Sequence, residues 1–497
     1  ASIVRFLVGY PSRIIAQVYT AKNAAAVCAH PGAQVPTAGL LPCDGMGGSE
    51  GLDLTGMARR AAEILHHNDM GEWTRAAPEL YPHQWSWDTG FIAVGLAHLD
   101  TARAARELLS LFAHQWKTGK VPHIVFNPEA PPDSYFPGAE HWASAGEFPD
   151  APHAPPYTSA LCQPPTHALG ALRIWEVAKE KGDEDVARGF LRELYPRLLH
   201  WHRYLLTYRD PEGSGLVTIY HPWESGTDNS PRWDAALAAV EVGEMQPYER
   251  RDLEHVDDPS ERPSDEEYAR YIWLVELIKR ARCDEGEIYD SHPFLVKDVL
   301  VSAILVTANE ALLEIAEVVD APDDERTEIS AWAERGRGGL QRCWSPELDL
   351  CLDHDLRRDA PSRVRTVAGF APMVAGGLNL GRLASLMQTL DSTAFLGRQD
   401  LYLPLPPSTS PTEPRFHPRS YWRGPVWPVV SWLLWRSLVH EGEAGRAEAL
   451  RLAALHQLSA GGLAEYFEPF TGEPLGSDGQ SWTAAVALDW ISVGTAQ

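Results

Sequence analysis

Apolar residues recur at three- and four-residue intervals along most of the chain, the spacing that gathers them on one face of an α-helix. The stretch Met57-Ala-Arg-Arg-Ala-Ala-Glu-Ile-Leu-His-His shows the pattern and stops near Asn68-Asp69. The same reading predicts helices over about 88–99, 101–116, 166–181, 185–207, 231–242, 265–282, 295–319, 323–341, 378–391, 425–440, 443–457 and 481–492. Strand-like alternation is scarce, and no repeat of constant period suggests a solenoid. Helices joined partly by short turns and partly by long Pro-rich segments fit hairpins packed around one another better than a doubly wound sheet. The long segments are 119–165, 209–230, 245–264, 343–366 and 392–424. Rich in Trp, Tyr, His and acids, they fit loops that wall a polar pocket at one end of the helical array.

Composition excludes several classes. With 44% hydrophobic and 22% charged residues the chain is globular, and its 18 Trp stand out. An indole serves a core, but it also stacks on the C–H face of a sugar. A net charge of −25 repels phosphate backbones and anionic membrane surfaces, so neither nucleic acid nor membrane is an expected partner. Cysteines at 28, 43, 162, 283, 343 and 351 form no CxxC or Cys/His ligand cluster, so neither a disulfide scaffold nor a bound metal is expected. A reduced, cytoplasmic protein is the corresponding expectation. No uninterrupted apolar run approaches the roughly 18 to 20 residues needed to cross a bilayer. The first 43 residues contain no Asp or Glu, yet they lack the Arg and Ser enrichment of a transit peptide. The oligomeric state is open, and a homo-oligomer is compatible with the sequence.

Four segments carry candidate chemistry. In Tyr81-Pro-His-Gln-Trp85-Ser-Trp87-Asp88-Thr-Gly-Phe, an aromatic run leads into a helix with Asp88 at the expected N-cap. The alternative to capping is a stacking platform on which Asp88 accepts hydrogen bonds from sugar hydroxyls. Tyr220-His-Pro-Trp223-Glu224-Ser-Gly226-Thr-Asp228-Asn229-Ser-Pro-Arg232-Trp233-Asp234 crowds three carboxylates into one turn. Crowding and burial against Trp223 and Trp233 disfavour full ionisation, so one member can stay protonated as a general acid requires. Gly462-Leu-Ala-Glu465-Tyr466-Phe467-Glu468 continues through Glu473 to Gly479-Gln480-Ser481-Trp482. There Glu465 is placed to activate water, with Glu468 and Glu473 as competitors. Tyr421-Trp422-Arg423-Gly-Pro425-Val-Trp427-Pro is dense in aromatics at a helix start.

Read together, Trp85-Ser-Trp87-Asp88, Glu224-Ser-Gly-Thr-Asp228-Asn229, Tyr421-Trp422-Arg-Gly-Pro-Val-Trp427 and Glu465-Tyr-Phe-Glu-Pro-Phe-Thr-Gly resemble glycoside hydrolase family 63. The resemblance runs from about residue 70 onward. It implies an all-α fold, an (α/α)6 barrel over residues 57–497 with long loops forming the pocket. It leaves residues 1–56 as an N-terminal extension without a counterpart. It places the general acid on Asp228 and the general base on Glu465, implies inversion of an α-linkage, and requires no cofactor or metal. It implies that Tyr81, Trp85, Trp87, Asp88, Trp223 and Gly226 line the sugar. Arg262, Tyr268, Tyr421 and Gln480 should then lie at or near the other half of the substrate, with Gln163, Trp422 and Trp427 also among the substrate-binding residues. Within the family the short chain resembles the hydrolases of small glycosides, which implies glucosylglycerate as substrate ahead of mannosylglycerate or another small α-glucoside. Two other readings stay open: a sugar epimerase or isomerase using His83, His123, His167 or His292, and a sugar-binding protein without catalysis.

Overall fold

The computed structural model describes residues 51–78, 80–131, 134–253 and 258–494. The acid-free first 43 residues lie outside them. Six helices pack edge to edge into a closed inner ring: Ser86–Leu99, His167–Lys181, Val299–Val318, Ala371–Ala375, Pro428–His440 and Ser481–Gly494, the last returning to the first. Inner helices are apolar on nearly every face because they are surrounded. Ser86–Leu99 is buried from Ser86 through Ala97. Where it crosses the last helix, a Cβ on Gly95 would sit 2.3 Å from the Ala485 backbone, so the two axes approach only because Gly95 has no side chain.

Outside the ring lie amphipathic helices with one buried stripe. Leu54–His67 buries Gly56, Met57, Ala61 and Leu65, four residues apart after the first, and packs on the terminal inner helix. Thr101–Phe112, Glu184–Tyr208, Asp323–Arg342 and Ala444–Gly461 lie against their inner partners, and Leu380–Leu390, which buries Leu383, Leu386, Met387 and Leu390, is the sixth outer helix. The result is the (α/α)6 toroid expected from the resemblance. Val299–Val318 is long and apolar enough to cross a membrane by length and composition, a run the sequence reading passed over, but 78% of its apolar window is buried in this core.

Several element boundaries differ from expectation for identifiable reasons. The first helix starts at Leu54, three residues early, because Asp53 accepts the Gly56 amide and caps it. The second starts at Ser86, so Asp88 is inside the first turn and is not its N-cap. Residues 231–242 form only a 3-10 turn, Pro231–Trp233, and the short helix Asp234–Ala238. Residues 296–297 pair as a strand with Thr218–Ile219, and the inner helix begins at Val299 with Asp298 as cap. Pro428 rather than Pro425 opens the helix that ends at His440. The inner helix Ala371–Ala375 and the helix Glu285–Ser291 have no counterpart in the sequence reading.

The strands are all two residues long and belong to the loops. Gln84–Trp85 pairs with Ile124–Val125, and Tyr466–Phe467 with Pro474–Leu475. Such ladders stiffen connections at the N-terminal ends of the inner helices. There Trp87, Trp422, Trp427 and Trp482 pack together, with ring centroids 3.8–6.3 Å apart.

Candidate active site

The turn bearing Asp228 is fixed from several sides. Gly226 adopts φ +70°, and a Cβ there would press on the Trp87 ring at 2.9 Å, so glycine meets both a backbone and a contact requirement. Arg232 donates to the Thr227 hydroxyl (2.7 Å) and to Asp353 (2.7 Å), while the Trp233 indole N–H donates to the Thr227 carbonyl (3.0 Å). The Tyr271 hydroxyl donates to the Asp228 carbonyl (3.1 Å). The backbone is anchored, yet the Asp228 carboxyl takes no hydrogen bond from another described residue.

Its two neighbouring acids are spoken for. Glu224 is fully buried and accepts from both terminal nitrogens of Arg209 (2.7 and 2.8 Å) and from the amides of Cys162 (3.1 Å) and Tyr220 (2.7 Å). Burial alone would raise its pKa, but the Arg209 charge and these bonds hold it down at about 2. Asp234 pairs with Arg423 through two bonds, at 3.1 and 2.6 Å. Asp228 is different: burial, reinforced by the charge of Glu465 and only partly offset by Arg262, pushes it up to about 7.

Glu465 projects from the loop stiffened by Tyr466–Phe467 and is 1% exposed. Its Oε1 accepts the hydroxyls of Tyr81 (3.0 Å) and Tyr421 (3.3 Å), and its Oε2 accepts the Ser477 amide (3.0 Å). Burial raises its pKa, while Arg262 and these donors pull the other way. The competing acids have other work. Glu468 accepts the Phe470 amide and the Thr471 hydroxyl, both at 2.8 Å, closing its own turn. Glu473 pairs with Arg419 at 2.6 Å.

Asp88 supplies a third carboxyl, 4% exposed and without a bond from another described side chain. Burial raises it well above the carboxylate range, with Glu465 and Asp228 adding to the effect. Trp85 meets Tyr81 edge-on at 5.2 Å, and Gln163 accepts the Trp87 amide at 3.3 Å. Trp223 is 6.4 Å from Tyr268, whose hydroxyl donates to the Phe136 carbonyl at 3.1 Å. Gln480 accepts the Ser477 hydroxyl at 2.6 Å, so it braces the loop whose amide holds Glu465. Trp422 and Trp427 stack face to face at 3.8 Å behind Tyr421.

Arg262 lies 4.6 Å from the Tyr421 ring centroid, and its buried Nε and Nη2 have no hydrogen-bond partner. Leaving two buried guanidinium nitrogens without hydrogen-bond partners is costly, and it marks a place for an acceptor.

The histidines of the epimerase reading do other things. His83 accepts the Asn127 amide (3.2 Å) and is lowered by burial to about 4; His123 bonds the Ser159 hydroxyl (2.6 Å) and falls to about 3. His167 packs by Ser86, and His292 bonds the carbonyls of Phe294 and Leu274. Neutral, bonded imidazoles in separate places do not form a proton-transfer pair.

Sequence reasoning missed Tyr135, whose ring stands edge-on to Trp85 (5.5 Å) and His83 (5.8 Å), and Ser477, which holds Glu465 through its amide. Tyr135 was legible only as an aromatic in a long loop. A backbone donor such as Ser477 leaves no signal in the residue type.

A closed ring of inner helices with Asp228 and Asp88, which take no bond from another described side chain, and the anchored Glu465 among aromatics at one end defines an α/α-toroid glycosidase. The chain belongs to the mannosylglycerate hydrolase MGH1-like glycoside hydrolase family, whose model matches residues 81–483. It is 46% identical over 439 residues to the glucosylglycerate hydrolase of Mycolicibacterium hassiacum, covering 88% of this chain and 98% of that protein. It is 41% identical over 432 residues to the mannosylglycerate hydrolase of Thermus thermophilus, covering 87% and 99%. The crystal structure of a GH63 mannosylglycerate hydrolase from Thermus thermophilus in complex with Tris and D-glycerate superposes with a TM-score of 0.80, over 87% of this chain and 99% of that one, at 41% identity.

Proposed function

We propose that this glycoside hydrolase cleaves glucosylglycerate to glucose and glycerate by one inverting displacement, with Asp228 as acid and Glu465 as base. The observation that carries the reading is the difference between the two carboxyls. Asp228 takes no hydrogen bond from another described residue and is pushed up to about 7, so it holds a proton to give to the glycosidic oxygen at neutral pH. Glu465 is held by three donors that favour its charged form, as a group taking a proton from water must be. In an inverting site that water attacks the face opposite the leaving group.

Asp88, with Tyr81, Trp85, Trp87, Gln163, Trp223 and Gly226, lines the sugar in this reading, and Trp422 and Trp427 back the wall. Arg262 takes the glycerate carboxylate with its unpaired nitrogens, a charge-assisted arrangement that a neutral aglycone cannot form. Tyr268, Tyr421 and Gln480 border that half. The D-glycerate of the Thermus thermophilus complex and the name of the 46% identical relative support this choice of aglycone and sugar.

The test is a comparison of kcat/KM for glucosylglycerate, mannosylglycerate, glucosylglycerol and trehalose. Glucosylglycerate should be the preferred substrate and the neutral glycosides poor ones. A preference for mannosylglycerate moves the sugar assignment, and a preference for trehalose removes the glycerate.

A further inference from the structure

Tyr421 has a backbone φ of +42°, a left-handed conformation that a bulky L residue rarely adopts and that persists only where its surroundings enforce it. Its side chain does three things from there. The hydroxyl donates to Glu465 (3.3 Å) and lies 3.2 Å from the Tyr81 hydroxyl, while the ring stands 4.6 Å from the Arg262 guanidinium. Neither the 3-10 turn Tyr421–Arg423 nor Gly424 explains why the chain stays in this conformation.

One carboxamide grips the residues on both sides of it. Asn229 Oδ1 accepts the Trp422 amide at 2.8 Å, and Asn229 Nδ2 donates to the Ser420 hydroxyl at 3.4 Å. Asn229 is 2% exposed, so both bonds are shielded from water. It follows Asp228 directly, in the turn made rigid by Arg232, Trp233 and Tyr271. We infer that Asn229 is a positioning residue that holds Tyr421 in its left-handed conformation and so ties the turn of Asp228 to the phenol that steadies Glu465.

The inference rests on the reading of Glu465 as general base and adds a mechanical link between the two carboxyls. Without the link, Tyr421 relaxes to a common backbone conformation, its hydroxyl leaves Glu465, and the carboxylate loses one of the donors that keep it ionised.

The experiment is a double-mutant cycle on purified full-length protein, with Asn229→Ala, Tyr421→Phe, the pair, and Glu465→Gln, measured with glucosylglycerate across pH. Asn229→Ala should lower kcat/KM by about tenfold or more and move the acidic limb of the profile to higher pH, and Tyr421→Phe should do the same. Added to Tyr421→Phe, Asn229→Ala should cost less than about a further twofold, because it acts through the hydroxyl already removed. Fully multiplicative losses, or a fall in rate with the acidic limb unmoved, overturn the inference while leaving the proposed function intact if Glu465→Gln is inactive. Full turnover in Glu465→Gln removes the base assignment and this inference with it. Should Asn229→Ala fail to fold, Asn229→Ser, which keeps a polar group in the buried space, is judged by the same criteria.

Discussion

The Tyr81 hydroxyl donates to Oε1 of Glu465 at 3.0 Å, joining residues 384 positions apart. The bond exists because the helical ring closes, bringing the loop before the helix Ser86–Leu99 against the loop before the terminal helix. It anchors Glu465, whereas the Asp228 carboxyl takes no hydrogen bond from another described residue, and the roles proposed for these two acids rest on that asymmetry.

Asp228→Asn and Glu465→Gln should each fold normally and lose about 10² to 10⁴-fold in turnover, the usual contribution of general acid or base catalysis. Glu468→Gln should retain turnover, since Glu468 closes its own turn. Steady-state assays with the preferred glycoside, beside circular dichroism of each variant, check both statements; near-normal turnover in either of the first two overturns that role.

The pH dependence of kcat/KM should be a bell. The acid must be protonated, so activity falls as pH rises through about 7, where burial and Glu465 put Asp228. The base must be ionised, so activity falls again as pH drops through the raised pKa of Glu465, above the ordinary Glu value of roughly 4.3. The two apparent values belong to the interacting pair. A basic limb near pH 9 would mean that Asp228 is not the group being titrated.

Stability should improve when the acid is removed. The folded pKa of Asp228 lies above an unfolded value of about 3.9, so the folded state binds the extra proton, and its stability falls as pH rises from about 4 to 7. Asp228→Asn escapes that loss. Its melting temperature should exceed the wild-type value at pH 8, with the gap narrowing toward pH 4. A constant gap across this range contradicts the assignment.

Arg262→Ala should raise KM for glucosylglycerate strongly and hardly affect glucosylglycerol. A charge-assisted hydrogen bond contributes roughly 1.5 to 3 kcal/mol, which is about one to two orders of magnitude in affinity. Equal losses on both substrates would show that the guanidinium serves the fold.

Glu224→Ala should destabilise the protein by about 3 to 5 kcal/mol, because it leaves the buried Arg209 guanidinium without its main partner. Chemical denaturation measures this directly. A change under about 1 kcal/mol would mean that Glu285, 3.2 Å from Arg209 Nε, suffices alone.

Most helices were legible from periodicity, since one-sided burial leaves a repeating apolar trace in Leu54–His67 or Thr101–Phe112. Ala371–Ala375 left none: five residues ending at Gly376 and Gly377, both at positive φ, are too short for a period to register. Asp88 misled because an acid before an apolar run usually caps it, whereas here the strand Gln84–Trp85 delivers the chain directly into the helix at Ser86.

The helical class, the aromatic and acidic loop segments and, through their motifs, the family are all legible in the amino-acid sequence. Apart from the family resemblance, residue type and spacing do not separate Asp228 from Glu224 and Asp234, or Glu465 from Glu468 and Glu473, because all are carboxylates in similar turns. Tertiary structure separates them by the partners each acid meets, and the proposed roles rest on that difference. Arg209 and Arg423 neutralise Glu224 and Asp234, and local amides occupy Glu468. Asp228 has no ion pair of its own, and burial together with the charge of Glu465, only partly offset by Arg262, lifts its carboxyl to where it can donate a proton near neutral pH.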